Sequence, residues 1–386
     1  MADNNTKMCR RGIHKVSTAR LIVADSANGA DLRYASGFSA IDPVVCLVEK
    51  KRCFLVVPML EVGRARLESP SSVILTPAEL GVDPADRRSL GAWTRGLLRR
   101  VGVRSVQVSA FFPLSVARAI EEEGVSIDIA HQPLFPARAV KRDEEVANIA
   151  RVQRAAVAAM REAIETIRVA HVGRRRELRW KGAVLSSEGV KRRIDRVLLD
   201  HGCRARETIV ACGRHAADPH HRGEGPLRAH ETIVIDIFPQ DDETGYWGDL
   251  TRTIVKQEAS PEVKRMVRAV RDAHAWALAA MRPGVRADCL HREVQRRMSE
   301  AGFVTETREG IPVGFFHGTG HGVGLDIHEG PTISAAPVRL KRGNVVTIEP
   351  GLYYPKWGGV RIEDTVVVER GGARVLCPCP YPFELP

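Results

Sequence analysis

The sequence predicts an α+β protein in which a smaller α/β domain precedes a larger domain built by pseudo-twofold duplication of one α+β unit. Three observations carry that expectation. Short apolar strand segments and a helical one alternate in the first part of the chain. A charged stretch with prolines then opens a long amphipathic helix. Beyond it, two helices followed by strands that bear acids occur twice over.

In the first part, "ARLIVAD" (19–25), "VVCLVE" (44–49) and "RCFLVVP" (52–58) are near-continuous apolar runs of strand length, and "SVQVSA" (105–110) joins them. "PLSVARAIEEEG" (113–124) spaces its apolar residues as a helix and stops at Gly124. The stretch "HQPLFPARAVKRDEEV" (131–146) reads as a linker, because two prolines and a run of charge precede a regular helical pattern. The boundary falls there, giving domains 1–137 and 138–386.

From Val146 the residues Ile149, Val152, Ala156, Met160, Ile164 and Ile167 recur at spacings of three and four, one stripe of a helix over about 143–168. A second helix is expected over 187–200, then the strands "ETIVIDIF" and "GDLTRTIV". The second pass opens with "SPEVKRMVRAVRDAHAWALAAM", in which Ser260 caps a helix and Pro261 takes its first position. A helix around Leu290, Val294 and Met298 follows, then "NVVTIEPGLYY" and "GGVRIEDTVVVE".

Composition narrows the class of protein. At 386 residues and 44% hydrophobic content, two domains with well-buried cores are expected without covalent staples. The formal charge of +11 does not make nucleic acid an expected partner, because arginines run through the whole chain interleaved with acids, as in "RRRELRWK" (174–181) and "KRRIDR" (191–196). The amino terminus, "MADNNTKMCRRG", is polar, and no run approaches the roughly 18 apolar residues that cross a bilayer. A cytoplasmic protein with no membrane partner is the expectation. Eight scattered cysteines form neither a CxxC pair nor a disulfide framework and should be reduced; Cys377 and Cys379 alone lie close together in sequence.

Acids stand where strand patterning expects something else. Asp236 interrupts "IVIDIF", and Asp249 heads the return strand thirteen residues later; Glu349 ends "VVTIE", and Glu363 follows fourteen residues on in "VRIED". An unpaired buried carboxylate costs several kcal/mol, so something must neutralise each one. Two divalent ions nearly cancel four carboxylates, and carboxylate-rich ligation suits Mn, Co, Fe or Zn. The stretch "FFHGTGHGVGLDIHEGP" (315–331) offers three histidines on a glycine-rich backbone that can approach a crowded centre, and the imidazole of His321 could complete the set.

Together, "HGTGHGVGLDIHEGP", "GDLTRT", "TIEPGLYY" and "GVRIEDT" resemble the pita-bread metallopeptidases: prolidases, Xaa-Pro aminopeptidases and methionine aminopeptidases. The resemblance covers about 138–386, and residues 1–137 resemble the amino-terminal domain of the prolidase and creatinase branch. It implies the pita-bread fold and a dinuclear site ligated by Asp236, Asp249, His321, Glu349 and Glu363. Asp249 and Glu363 would bridge the ions, with Asp236 on one and His321 and Glu349 on the other. Manganese is the implied metal, with cobalt, zinc and iron as alternatives. Hydrolysis would use a hydroxide between the ions, with Glu349 doubling as proton shuttle. His317, His328 and Arg361 would supply donors to the oxyanion or the product carboxylate. A surface salt bridge is the competing reading of Arg361. His220, in "DPHH", would line the substrate pocket, with His221 as its substitute.

The extra amino-terminal domain, His317 ahead of "GHG" and Arg361 ahead of "IED" favour the proline-specific branch. The expected function is hydrolysis of the amino-terminal Xaa-Pro bond of dipeptides or peptides. The expected partners are a peptide with proline at its second position and, by the resemblance, a second copy in a homodimer. One departure stands out: the hairpin "IFPQDDETGYWG" is longer than the family pattern and carries Phe238-Pro239. A non-peptide amide or amidine substrate is therefore one alternative, and a non-catalytic RNA- or protein-binding relative is another.

Overall fold

A computed structural model describes residues 19–27, 29–130, 133–205 and 207–386. The polar amino-terminal stretch with Cys9 lies outside these residues, as do His131 and Gln132 of the linker. The chain divides into two compact units, Met1–Pro136 and Ala137–Pro386. Among the described residues, no helix is long and apolar enough to cross a membrane.

The first unit is built on a six-stranded sheet in the order Ser72–Leu75, Arg52–Val56, Val44–Glu49, Ala19–Ala24, Ser105–Val108, Ser126–Ile129. Its strands read as unbroken apolar runs because both faces are covered. Leu21, Val45 and Leu47 pack with Trp93, Leu97 and Ile120 on one side, while Ile22, Cys46 and Leu55 pack with Leu32, Phe38 and Ala65 on the other. The edge strands Ser72–Leu75 and Ser126–Ile129 and the helices Ala30–Ser36, Val62–Glu68 and Leu90–Val101 were not expected from sequence. The last of these carries Gly91 and Gly96, poor helix formers that close packing nevertheless requires. A Cβ at Gly91 would lie 2.9 Å from the Ala119 side chain, and one at Gly96 would lie 3.0 Å from that of Leu80.

In the second unit the helices run Asp143–Arg168 and Ser187–Asp200 in the first half, Pro261–Ala280 and Ala287–Glu300 in the second. The long helix buries the whole predicted stripe from Ile149 to Ile167. Its first turn holds Asp143, Glu144 and Glu145, which suit the positive end of the helix dipole, and Glu145 caps the Arg142 backbone N–H at 2.9 Å. Ser260 accepts from the Val263 N–H at the head of its helix, with Pro261 next to it.

Each half contributes a sheet. Ile209–Cys212, Thr232–Ile237 and Leu250–Lys256 run antiparallel in the first, with Glu384–Leu385 added in parallel. The second orders Glu329–Ile333, Gly320–Gly322, Val345–Ile348, Asp364–Glu369 and Gly372–Val375. Gly351–Tyr354 and Gly358–Arg361 form a separate ribbon.

Side chains from the strand Leu250–Lys256 lock the two halves together. Thr253 donates to the Arg361 carbonyl and accepts from its N–H, both at 2.9 Å. Arg252, 3% exposed, pairs with Asp364 at 2.7 Å and also reaches the Glu363 carbonyl. Asp249 is held from the long helix, where the Gln153 side chain donates to its carbonyl at 2.5 Å and accepts from its N–H at 2.9 Å. Gln153→Leu should leave the buried Asp249 N–H without a partner, while its carbonyl keeps the Thr365 hydroxyl at 2.8 Å, and should cost about 1–3 kcal/mol. Urea denaturation reads this directly, and an unchanged midpoint would refute the anchoring role.

Candidate active site

Thr232–Ile237 and Leu250–Lys256 pair so that Asp236 stands opposite Thr251, which puts Asp249 just beyond the end of the ladder on the same side of the hairpin. In the second half Glu349 follows Val345–Ile348, and Glu363 precedes the strand that pairs with it. The Glu363 N–H donates to the Thr251 carbonyl at 3.1 Å, and the Thr251 hydroxyl donates to its carboxylate at 2.7 Å. The acids of the two halves therefore converge. Asp236, Asp249, His321, Glu349 and Glu363, together with His220, His317, His328 and Arg361, all line one cleft of about 880 Å³. Asp249, His321 and Glu363 each offer a ligand atom within 4.8 Å of the others.

The glycines around the histidines serve close approach. A Cβ at Gly320 would strike the Thr347 carbonyl, and one at Gly322 would strike the backbone of 329–330. His321 is thereby held on a short strand. Its N–H donates to Thr347 at 3.0 Å, and its Nδ1 lies 3.2 Å from the Gly322 carbonyl. With Nδ1 as donor, Nε2 faces Glu349 at 3.2 Å and Asp249 at 3.5 Å.

The electrostatics reflect crowding of like charge. Burial, and then the charges of Glu363, Asp236 and Glu349, push the Asp249 carboxyl well above its usual range. Burial and the charges of Glu349 and Asp236 do the same to Glu363. Burial would also raise Glu349, but the His321 hydrogen bond and the nearby positive groups bring it down to about 2. Burial works against charge on His321, yet Glu349 and Glu363 lift it to about 9.

Arg361 is 4% exposed, so the competing reading of a surface salt bridge is overturned. Its Nη2 meets Asp236 at 2.6 Å, and its Nη1 donates to Tyr353 at 3.0 Å and to the Pro219 carbonyl at 3.3 Å. Tyr353 in turn lies 2.9 Å from Nε2 of His317, whose Nδ1 donates to the Gly318 carbonyl at 2.7 Å. Arg361 and His317, two of the expected donors to substrate, are thus already engaged inside the protein. His220 and His328 are exposed to the cleft, and the His328 ring stands edge-on to that of His321 with centroids 4.4 Å apart. His221 turns away to stack on His215 at 4.1 Å.

A sequence profile of metallopeptidase family M24 matches residues 147–370, more than half of the chain. The chain belongs to metallopeptidase family M24. A profile of the creatinase/prolidase N-terminal domain matches residues 14–133. Over 172 residues this M24 chain is 38% identical to the Xaa-Pro dipeptidase of Pyrococcus furiosus, which covers 44% of the chain and 47% of that protein. The alignment thus spans about half of the relative's length. The Xaa-Pro dipeptidase of Pyrococcus horikoshii is 27% identical over 361 residues, 91% of each protein. The fold matches the solved prolidase from Pyrococcus furiosus with a TM-score of 0.76 and 26% identity, over 95% of this chain and 98% of that one.

The M24 cleft suits divalent cations on its own chemistry. One oxygen of Asp236 and one of Glu363 are buried and find no hydrogen-bond partner among the described residues, a cost of about 1–3 kcal/mol apiece unless a cation meets them. The tautomer of His321, with Nδ1 on a backbone carbonyl, is the one that frees Nε2 as a ligand. Sequence patterning missed the supports of this arrangement, Gln153, Thr251 and Tyr353, whose partners lie far away in the chain or across a ribbon. Gly320→Ala should cost at least about 1–3 kcal/mol through the Thr347 clash, read as a lowered unfolding midpoint; wild-type stability would sink this account of the glycines.

Proposed function

We propose that this M24 chain is a dinuclear metallopeptidase that cleaves the amino-terminal Xaa-Pro bond of dipeptides or short peptides, with manganese as its metal. The two buried carboxylate oxygens without partners, on Asp236 and Glu363, carry the proposal. Asp236, Asp249, His321, Glu349 and Glu363 would hold the ions. Two such ions would polarise a carbonyl and supply a water made nucleophilic at neutral pH.

The chain's own residues do the remainder. His220 and His328 present their rings to the cleft and would hold the substrate carbonyl or product carboxylate. Arg361 orients Asp236 through their ion pair, and Tyr353 carries that order on to His317. Glu349 lines the cleft and would accept and return a proton. Phe238, Phe316 and Ile327 give the cleft an apolar wall fit for a pyrrolidine ring. The bond ahead of proline lacks an N–H, so recognition rests on shape.

A homodimer follows from the resemblance to prolidases. A cytoplasmic setting is proposed from the sequence, whose cysteines form no disulfide framework.

Protein purified without chelator should hold about two equivalents of metal, measured by mass spectrometry, and should lose activity on chelation and regain it with manganese. Activity that survives complete metal removal would refute the proposal. Asp249→Asn should abolish turnover of Xaa-Pro dipeptides with an unchanged circular dichroism spectrum. A manganese-supplemented comparison of Xaa-Pro dipeptides, longer Xaa-Pro peptides and Met-initiated peptides tests the specificity, and preference for the last would overturn it.

A further inference from the structure

Glu329 directly follows His328 and lies between two cations. Nη2 of Arg138 donates to it at 2.6 Å, and the Lys141 ammonium donates to its other oxygen. The side chains are 8% exposed for Glu329, 9% for Arg138 and 1% for Lys141. Arg138 also pairs with Asp326, two residues before His328, at 2.7 Å. The backbone that carries the cations is itself anchored. The Lys141 N–H donates to the Gly343 carbonyl at 2.7 Å, and the Asn344 side chain donates to the Ala139 carbonyl at 2.6 Å. Residues 343 and 344 lead straight into the strand Val345–Ile348, which Glu349 follows. A Cβ at Gly324 would collide with the Glu329 carboxylate, so the turn closes on that carboxylate from the other side.

Burying two cations against one carboxylate costs several kcal/mol of desolvation, and an apolar trio of similar volume would serve stability at least as well. We propose that Glu329, clamped by Arg138 and Lys141, is a positioning residue that fixes the 324–329 turn so that the His328 ring stands over His321 and faces the cleft. The proposal rests on the cleft being the catalytic site. His328 has no hydrogen bond to its ring among the described residues, so the placement of its backbone decides where its ring can go. A displacement of about 1 Å in a substrate-facing group can cost up to about a hundredfold in rate.

Lys141→Met tests this without stranding a charge, since Glu329 keeps Arg138. The expected result is an unfolding midpoint within about 3 °C of wild type, full metal content, and a kcat on an Ala-Pro dipeptide with manganese lowered about tenfold at nearly unchanged KM. A crystal structure of the variant should show the His321–His328 ring separation moved from 4.4 Å. Glu329→Gln, which keeps the shape but not the charge, should lower kcat further. Both variants within about twofold of wild-type kcat, with the rings in place, would overturn the proposal. So would a loss of activity that merely tracks lost metal. If the wild-type enzyme itself turns over no Xaa-Pro peptide, the substrate reading falls separately. The ring separation in Lys141→Met then decides alone, with displaced rings supporting the clamp and unmoved rings refuting it.

Discussion

Four carboxylates, Asp236, Asp249, Glu349 and Glu363, are forced together in a largely buried cleft, and their mutual repulsion is the constraint around which the second unit is built. Like charges at such range in low dielectric do not stay together unless the scaffold prevents their escape. Strand pairing supplies part of that scaffold, and threonine hydroxyls on Leu250–Lys256 add to it, Thr251 donating to the Glu363 carboxylate and Thr253 to the Arg361 carbonyl of the other half. Arg361 offsets one negative charge and His321 a second. The two carboxylate oxygens left without partners mark where further positive charge belongs.

The histidines divide by environment. His321 turns inward among the acids, where burial works against its charge and Glu349 and Glu363 raise its pKa. His317 is half-buried, and its pKa is depressed first by desolvation; both its ring nitrogens are satisfied, by Tyr353 and the Gly318 carbonyl. His220 and His328 remain open to the cleft. One glycine-rich segment can host such different fates because its glycines admit neighbouring backbone within distances that any side chain would block. Rigidity here comes from close packing of backbone on backbone, although the composition looks pliable.

Much of the architecture was legible in advance. The helices Asp143–Arg168 and Pro261–Ala280 announce themselves by periodicity and caps, which are local signals. The acids stood out because each violates the pattern of the strand that carries it or borders it. Leu90–Val101 escaped because its two glycines argue against a helix locally, while the surfaces of Ala119 and Leu80 that require them lie elsewhere in the chain. Tyr353 and Gln153 escaped for a similar reason. Nothing in "GLYY" or in an amphipathic helix says that a hydroxyl will meet Arg361 and His317, or that an amide will clasp the backbone of Asp249.

By itself the sequence determined the α+β succession, its repetition, and the acids and histidines that cannot be explained as core or surface, because hydrophobic period and its violations are written residue by residue. The tertiary structure alone decided which of those groups face the cleft and which are consumed in holding it open. Hydrogen bonds and ion pairs such as Arg361 to Asp236 or Lys141 to Glu329 join residues more than a hundred positions apart, and their geometry exists only once the chain has folded.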